Sequence, residues 1–416
     1  MSTFSKEEKK DEPIYSSKSE NEFEAIWKKK KRILNEQAKL YRDLVGIVGD
    51  YLGKEFDGSS VELRGHTRGV QSVCALGNTL IASGSWDNTI RIWDLKKEGD
   101  DKHVHTLTGH TGTVFSVCAL GDGKLASGSR DKTIRIWDLN KEGDDKHVQT
   151  LRGHAKDVNS VCASADGRLL VSGSDDKTIR IWDLNEGGKW SYRYSLTEHT
   201  ESVNSLCALG GGRVFVSGSG DSTIRIWDLN KGNNDDEDDD DDERSSSDSG
   251  SGSESSFSDS GSGSDFEPES SSSSGSESDS DDSSSSFCVQ TLTEHTGLVQ
   301  SFCELGDRRF ASGSTDGTIC IWDMNKNGIY EKVDTLQLYY DVVANSLCAL
   351  SDGRFASGNE GGTIDIWHLG ESGEYSVLQT LDGHRSGIQT VNSICDLGDG
   401  LLASASNDDT AVRIWM

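Results

Sequence analysis

The phrase Ser127-Gly128-Ser129-Arg130-Asp131-Lys132-Thr133-Ile134-Arg135-Ile136-Trp137-Asp138-Leu139 is one copy of a sentence written repeatedly through the chain. Its Trp-Asp ending returns at Trp93-Asp94, Trp182-Asp183, Trp227-Asp228 and Trp322-Asp323, and looser copies end at Trp367 and Trp415. Successive tryptophans lie 44, 45, 45, 95, 45 and 48 residues apart. The long interval is one period plus an insertion of about fifty residues. Ile90 and Ile92 alternate with Arg91 and Trp93, the period-two pattern of a strand with a packed face. Asp87, Asp131, Asp176, Asp221 and Asp316 precede that strand in Asp-x-Thr stretches, which is turn chemistry. A fixed period in this range, holding four short strands per unit, predicts an all-β chain folded as a seven-bladed β-propeller.

Further positions recur in the same order. A Gly-His pair opens the repeat at Gly65-His66, Gly109-His110, Gly153-His154 and Gly383-His384, reduced to Glu-His at Glu198-His199 and Glu294-His295. A Val-x-Ser-Val-Cys strand follows, then Leu-Ala-Ser-Gly-Ser, then Thr-Ile-Arg-Ile-Trp. In these residues the chain resembles the WD40 repeat family, from Ser60 to Met416 apart from the insertion.

The resemblance implies a hydrogen-bonded His, Ser, Asp and Trp set inside each blade. The sets are His66, Ser83, Asp87, Trp93; His110, Ser127, Asp131, Trp137; His154, Ser172, Asp176, Trp182; His199, Ser217, Asp221, Trp227; and His295, Ser312, Asp316, Trp322. A satisfied buried network rigidifies its unit. A catalytic triad needs one exposed nucleophile beside one oxyanion hole, so recurrence in blade after blade points to structure and not to an enzyme. No cofactor and no metal site is expected.

Two blades depart from the pattern. In the sixth, Leu338-Tyr339-Tyr340 stands where Gly-His belongs and Gly361 where the turn Asp belongs, which marks it as the softest part of the ring. In the seventh, the Asp is either Asp408 or Asp409. Ser60-Val61-Glu62-Leu63-Arg64 matches the fourth-strand segments His105-Thr106-Leu107 and Gln149-Thr150-Leu151, and is expected to pair with the final blade and remove the open sheet edges.

The expected domain plan is an N-terminal segment 1–58, blades one to four over 59–231, an acidic insertion 232–287, and the rest of the ring over 288–416. Residues 232–287 hold 19 Asp or Glu and one Arg, a net of −18 out of the chain's −29. Almost without aliphatic residues, the insertion is expected to be disordered. It reads either as a solvated loop or as a polyanionic arm for basic proteins such as histones, with acid-flanked serines open to phosphorylation. The remaining −11 lies on the propeller, which argues against direct nucleic-acid binding. No window reaches membrane-helix length and the N-terminus does not read as a signal peptide, so no membrane is expected and an intracellular place, cytoplasm and/or nucleus, is. Cys74, Cys118, Cys162, Cys207, Cys303, Cys348 and Cys395 occupy one equivalent strand position per blade, too far apart to bridge, and read as small buried residues in a reducing compartment.

In the N-terminal segment Phe23, Ile26, Trp27, Ile33, Leu34, Leu40, Tyr41, Leu44, Val45 and Val48 recur at three and four residues, predicting an amphipathic helix over about 20–45. Its apolar stripe needs the propeller, a second copy in a dimer, or another protein. Lys28-Lys29-Lys30-Lys31-Arg32 is either a nuclear signal or a solvated helix face.

The resemblance also implies that ligands sit on the face carrying the Gly-His loops. One residue per blade should point there: Gln71, Phe115, Asn159, Asn204, Gln300, Asn345 and Asn392. Residues beside the turn Asp add Trp86, Arg130, Asp175, Gly220, Thr315 and Asn407. A ring of amides with Trp86 and Phe115 to one side suits a peptide or protein partner, because aromatic and Arg residues tend to dominate binding energy. A protein-interaction scaffold is therefore the expected function. The alternative is a substrate receptor of a cullin-type ubiquitin ligase, since Ile92-Trp93-Asp94-Leu95-Lys96 resembles a docking box for cullin-4 ligases. Against it, residues 1–58 show no F-box pattern, and Arg130 stands nearly alone where a phosphodegron reader needs an Arg cluster.

Overall fold

The computed structural model describes Phe56, residues 58–231 and residues 287–416, apart from residues 78, 100, 144, 211, 307, 339–341, 371, 385–389 and 408. The helix expected over 20–45 and the insertion up to residue 286 lie outside the described residues.

Seven four-stranded antiparallel sheets follow one another along the chain. The first is built from Val70–Ala75, Leu80–Ser85, Ile90–Asp94 and His103–Leu107, in that order. The first strands of neighbouring blades contact each other all the way round, closing with Val391–Gly398 against Val70–Ala75. They are therefore the inner wall of a ring. The seventh sheet takes its fourth strand from Ser60–Arg64, which pairs antiparallel with Ala411–Trp415 in the register Ser60↔Trp415 to Arg64↔Ala411.

Core clusters lie between blades. Each joins the apolar faces of one sheet to the next, as Ile90, Ile92 and Leu107 of blade one meet Val114, Val117, Leu125 and Trp137 of blade two. This is the physical use of the alternation in Ile-Arg-Ile-Trp: the isoleucines and the tryptophan are buried, while Arg91 stays half-exposed.

Polar bonds also tie the blades. The Ser of Val-x-Ser-Val-Cys accepts a backbone N–H from the next blade: Val117 N to Ser72 (3.1 Å), Val161 N to Ser116 (3.1 Å), Leu206 N to Ser160 (3.2 Å), Ile394 N to Ser346 (3.0 Å) and Val73 N to Ser393 (3.0 Å). On the outer strands a glutamine amide grips both backbone groups of an aromatic residue in the following blade. Gln149 holds Trp190, Gln290 holds Tyr330, and Gln379 holds Phe56.

Two residues flanking the ring segments make contacts with it. Phe56, placed by sequence in the segment outside the ring, is buried in the core between blades six and seven with Leu350, Ile366 and Leu381. Phe287, placed at the end of the insertion, stacks on Tyr194 at 4.7 Å, and its carbonyl accepts from Asp228 N at 3.0 Å. It leads directly into the outer strand of blade four, Cys288–Leu292.

The strand cysteines also differ from expectation. All nine cysteines are free, but of the seven equivalent ones only Cys303 is fully buried; the other six are half-buried because they sit on the innermost strands. The surroundings are still dry enough that burial pushes the thiol of Cys74 up to about 12 and that of Cys162 up to about 11.

Candidate functional site

The recurring polar set forms a chain in each of the first five blades. In blade one, His66 Nδ1 lies 2.9 Å from Asp87 Oδ2, His66 Nε2 lies 2.8 Å from Ser83 Oγ, and Trp93 Nε1 donates to the same Ser83 Oγ at 2.8 Å. An indole N–H can only donate and a carboxylate can only accept. In the neutral imidazole, Nδ1 therefore carries the proton toward Asp87, and Ser83 donates its own to Nε2. The same geometry holds around Ser127, Ser172, Ser217 and Ser312, with every bond between 2.7 and 2.9 Å.

Each Asp does more than orient its His. Asp87 also accepts from Thr67 N, Thr89 N and Thr89 Oγ1, which pins the Gly-His loop to the turn between the second and third strands. Burial by itself raises this carboxyl, but the bonds from His66, Thr89 and Thr67 outweigh it and hold the group well below the usual carboxylate range. The same opposition brings Asp221 and Asp316 down to about 2. The five Ser hydroxyls are fully buried and bonded on both sides, so none is placed as a nucleophile.

The last two blades diverge. In blade six, Trp367 Nε1 donates to Ser357 at 2.9 Å, and the space around the missing His and Asp is filled differently. Leu338 is buried with Phe355 and Trp367, while Asn359, also buried, donates to Asp365 at 2.8 Å. Tyr339 and Tyr340 lie outside the described residues. In blade seven, His384 Nε2 is 2.7 Å from Ser404, whereas His384 Nδ1 is 3.5 Å from Asp409. Asp409 fills the turn position; Asp408 lies outside the described residues.

The candidate binding residues occupy a shared backbone feature. In every blade the first strand slips its register at its second residue, between Val70 and Ser72, Val114 and Ser116, Val158 and Ser160, Val203 and Ser205, Val299 and Ser301, Ala344 and Ser346, and Val391 and Ser393. The bulged residues are Gln71, Phe115, Asn159, Asn204, Gln300, Asn345 and Asn392. A bulge re-aims a side chain and leaves its residue out of the ladder. All seven are half-buried.

A second ring surrounds the first. The N–H of Trp86, Arg130, Asp175, Gly220, Thr315, Glu360 and Asn407 donates, blade by blade, to the carbonyl of Gly69, Thr113, Asp157, Ser202, Leu298, Val343 and Thr390. Glu360 is the blade-six member that sequence reasoning missed, because that blade lacks the turn Asp used to find the others.

Some of these side chains are brought together and others are left open. Gln71 donates to Asn407 Oδ1 across the blade seven–one seam, and Asn392 donates to the same oxygen from within blade seven. Asn159 donates to Asp175 at 2.6 Å and to the Val203 carbonyl at 3.2 Å, and Asn345 to the Val343 carbonyl at 3.4 Å. Asn204 Nδ2 is buried with no hydrogen-bond partner among the described residues. Arg130 reaches Asp157 at 3.8 Å yet stays 68 % exposed. Burial and then the neighbouring Asp175 raise the Asp157 carboxyl. Trp86 is 43 % exposed.

The family description "WD domain, G-beta repeat" matches residues 59–94, 101–138, 145–183, 190–228, 286–323 and 375–416, more than half of the chain. The chain belongs to the WD40 repeat family. The stretch this match passes over, between Asp323 and Tyr375, holds most of the divergent sixth blade, which the structure nonetheless forms as a complete sheet. WD40 propellers are generally non-enzymatic protein-interaction scaffolds. A 42-residue stretch of this WD40 chain is 50 % identical to Cell division control protein 4 of Candida albicans, covering 10 % of this chain and 6 % of that protein. The WD40 chain thus matches only a small part of that relative's length. Among the described residues no helix is long and apolar enough to cross a membrane, and no group of three or more His, Cys, Asp or Glu is placed to hold a metal ion.

Proposed function

We propose that this WD40 protein is a non-enzymatic scaffold holding a protein segment on the face that carries the Gly-His loops. The observation that carries the proposal is the exposed indole of Trp86 at the edge of seven bulged side chains. Six of these seven are Asn or Gln, the seventh being Phe115. Large aromatic surface left in water at such a mouth favours a partner that covers it, and amides aimed off the ladder supply hydrogen bonds for a peptide backbone. The unpartnered Asn204 Nδ2 is a donor that a carbonyl would satisfy. Gln71, Trp86, Phe115, Arg130, Asn159, Asn204, Gln300, Asn345 and Asn392 are the proposed contact residues.

The ligase-receptor alternative has the short similarity to Cell division control protein 4 in its favour. That stretch covers about one repeat's length, and a repeat supports the propeller more than it does any single partner. The test is affinity capture from native lysate, comparing wild type with a Trp86→Ala, Phe115→Ala, Arg130→Ala variant. Loss of a defined protein set, with the variant melting normally, supports the face. Recovery of cullin-4 adaptors in that set would put the ligase reading first. An unchanged set overturns the site assignment.

A further inference from the structure

The outer rim of the ring is not sealed alike at every junction. At blades two–three, four–five and six–seven, the glutamine clamps described above hold an aromatic of the following blade, and at three–four Tyr194 stacks on Phe287. At the five–six junction Asp334 stands in the glutamine's place, and a carboxylate cannot donate to a carbonyl as the amide does. Two adjoining clefts open there, sharing Asp334, Glu374 and Tyr375 as walls. Their apolar border is exposed: Val333 is 55 % and Leu369 is 44 % accessible. The neighbouring Arg309 is already held by Asp323 at 2.8 Å, so the cleft's free charge is negative.

The N-terminal segment enters the ring beside this cleft. Phe56 is gripped by Gln379 on the outer strand Tyr375–Asp382, and that same strand supplies Tyr375 to the cleft. Val45 is eleven residues before Phe56, which an extended chain spans over roughly 35–40 Å. Packed sheets lie only about 10 Å apart, so the segment reaches the cleft with length to spare. Its composition also fits. Phe23, Ile26 and Trp27 supply apolar surface, and Lys28-Lys29-Lys30-Lys31-Arg32 supplies the opposite charge to Asp334 and Glu374. The acidic insertion, net −18, is repelled from the same place.

We propose that residues 20–45 dock in cis into the cleft between blades five and six, with Phe23, Ile26 and Trp27 against Val333, Leu369 and Tyr375 and the basic run against Asp334 and Glu374. Docking covers the rim and fixes where the basic run is displayed. This site is separate from the Gly-His face and does not depend on it.

Hydrogen exchange followed by mass spectrometry on the full chain tests it. Amides of residues 20–45 should exchange at least tenfold more slowly than those of residues 1–15, by the same factor before and after tenfold dilution. Val333→Glu with Leu369→Glu should abolish that protection, and the charge-only variant Asp334→Lys should reduce it severalfold. A matched rim variant at blades one and two, Val104→Glu with Val148→Glu, should leave it intact. All of these side chains are on the surface, so each variant is checked by an unchanged melt. Protection that survives the cleft variants, protection that vanishes on dilution as for a second copy, or no protection in wild type each overturns the proposal.

Discussion

Arg413 Nη2 lies 2.6 Å from Glu62 Oε1, across the seam where the first strand of the ring meets the last. Its guanidinium also reaches Asp409 and Ser60, both at 3.3 Å. Leu63, beside Glu62, is buried in the core shared by blades seven and one. The seam is thus both a hydrogen-bonded ladder and a charged clasp over a packed leucine. Leu63→Ala should destabilise the ring by about 2–5 kcal/mol, as for other buried leucines. Deleting residues 59–63 should be worse, because it leaves the edge of Ala411–Trp415 unpaired. Thermal melts with light scattering check both: a large drop in Tm or aggregation is expected, and an unchanged melt for the deletion would show that the seam carries no stability.

Ser127 and Ser357 are equivalent positions with different loads. Ser127 Oγ serves both His110 and Trp137, whereas Ser357 accepts from Trp367 alone. Each buried group left unsatisfied costs about 1–3 kcal/mol. Ser127→Ala should therefore lower stability by roughly twice the loss from Ser357→Ala. Urea titrations of the two variants measure it, and equal losses would mean that the His–Ser bond contributes nothing.

Seven blades were legible because the phrase ending at each Trp repeats both chemistry and spacing, and the positions of the Asp87 and His66 sets could be carried over with it. The bulge was not. Gln71, Phe115 and Asn159 share that backbone irregularity but no side-chain chemistry, so their common geometry appears only when the strands are paired. The inter-blade role of Ser72 was hidden for the same reason: its donor, Val117 N, belongs to the next repeat. Phe56 was out of reach altogether, since its partner Gln379 is 323 residues away and the flanking sequence carries no repeat signal. Blade six departs from the sequence pattern at the His and turn-Asp positions, which marks it in the sequence as the softest part of the ring. Leu338 and the Asn359–Asp365 pair instead fill its space, a substitution that no single-position comparison with the other blades would reveal.

Acid should unfold the ring in two stages. A carboxyl depressed in the folded state contributes stability that is present above its ordinary pKa and is lost as pH falls through its folded value. For Asp221 and Asp316 that window runs from 3.8 down to about 2. Burial lowers the pKa of His199, so the unfolded chain takes up that proton first and stability begins to fall below the ordinary 6.5. Urea midpoints between pH 7.5 and 2.5 should decline gently at first and then steeply below pH 4. Asp221→Asn should flatten the steep part, and an unaltered slope would remove Asp221 from the acid response.

Gly69 lies on the loop face beside the blade seven–one seam, where its carbonyl accepts from Trp86 N. A Cβ added there would fall on the backbone carbonyl of Asn407, which cannot swing aside as a side-chain tip could. Asn407 is also the residue on which Gln71 and Asn392 converge, so a displaced Asn407 carries two of the bulged amides with it. Gly69→Ala is therefore expected to lower Tm by several degrees and to disturb the face as well as the fold, given that about 1–3 kcal/mol is typical of forced overpacking. Gly220→Ala is the comparison, because its added Cβ meets nothing nearer than Glu201 Cβ at 3.3 Å, a crowding relieved by a shift of a few tenths of an ångström. Partner capture with both variants separates the two consequences. Gly69→Ala should lose the partners that the Trp86 variant loses even at a temperature where it remains folded, while Gly220→Ala should melt close to wild type. A Gly69→Ala protein that melts normally and keeps those partners would show that the seam at Asn407 tolerates the intrusion and that its amide cluster is not part of the binding face.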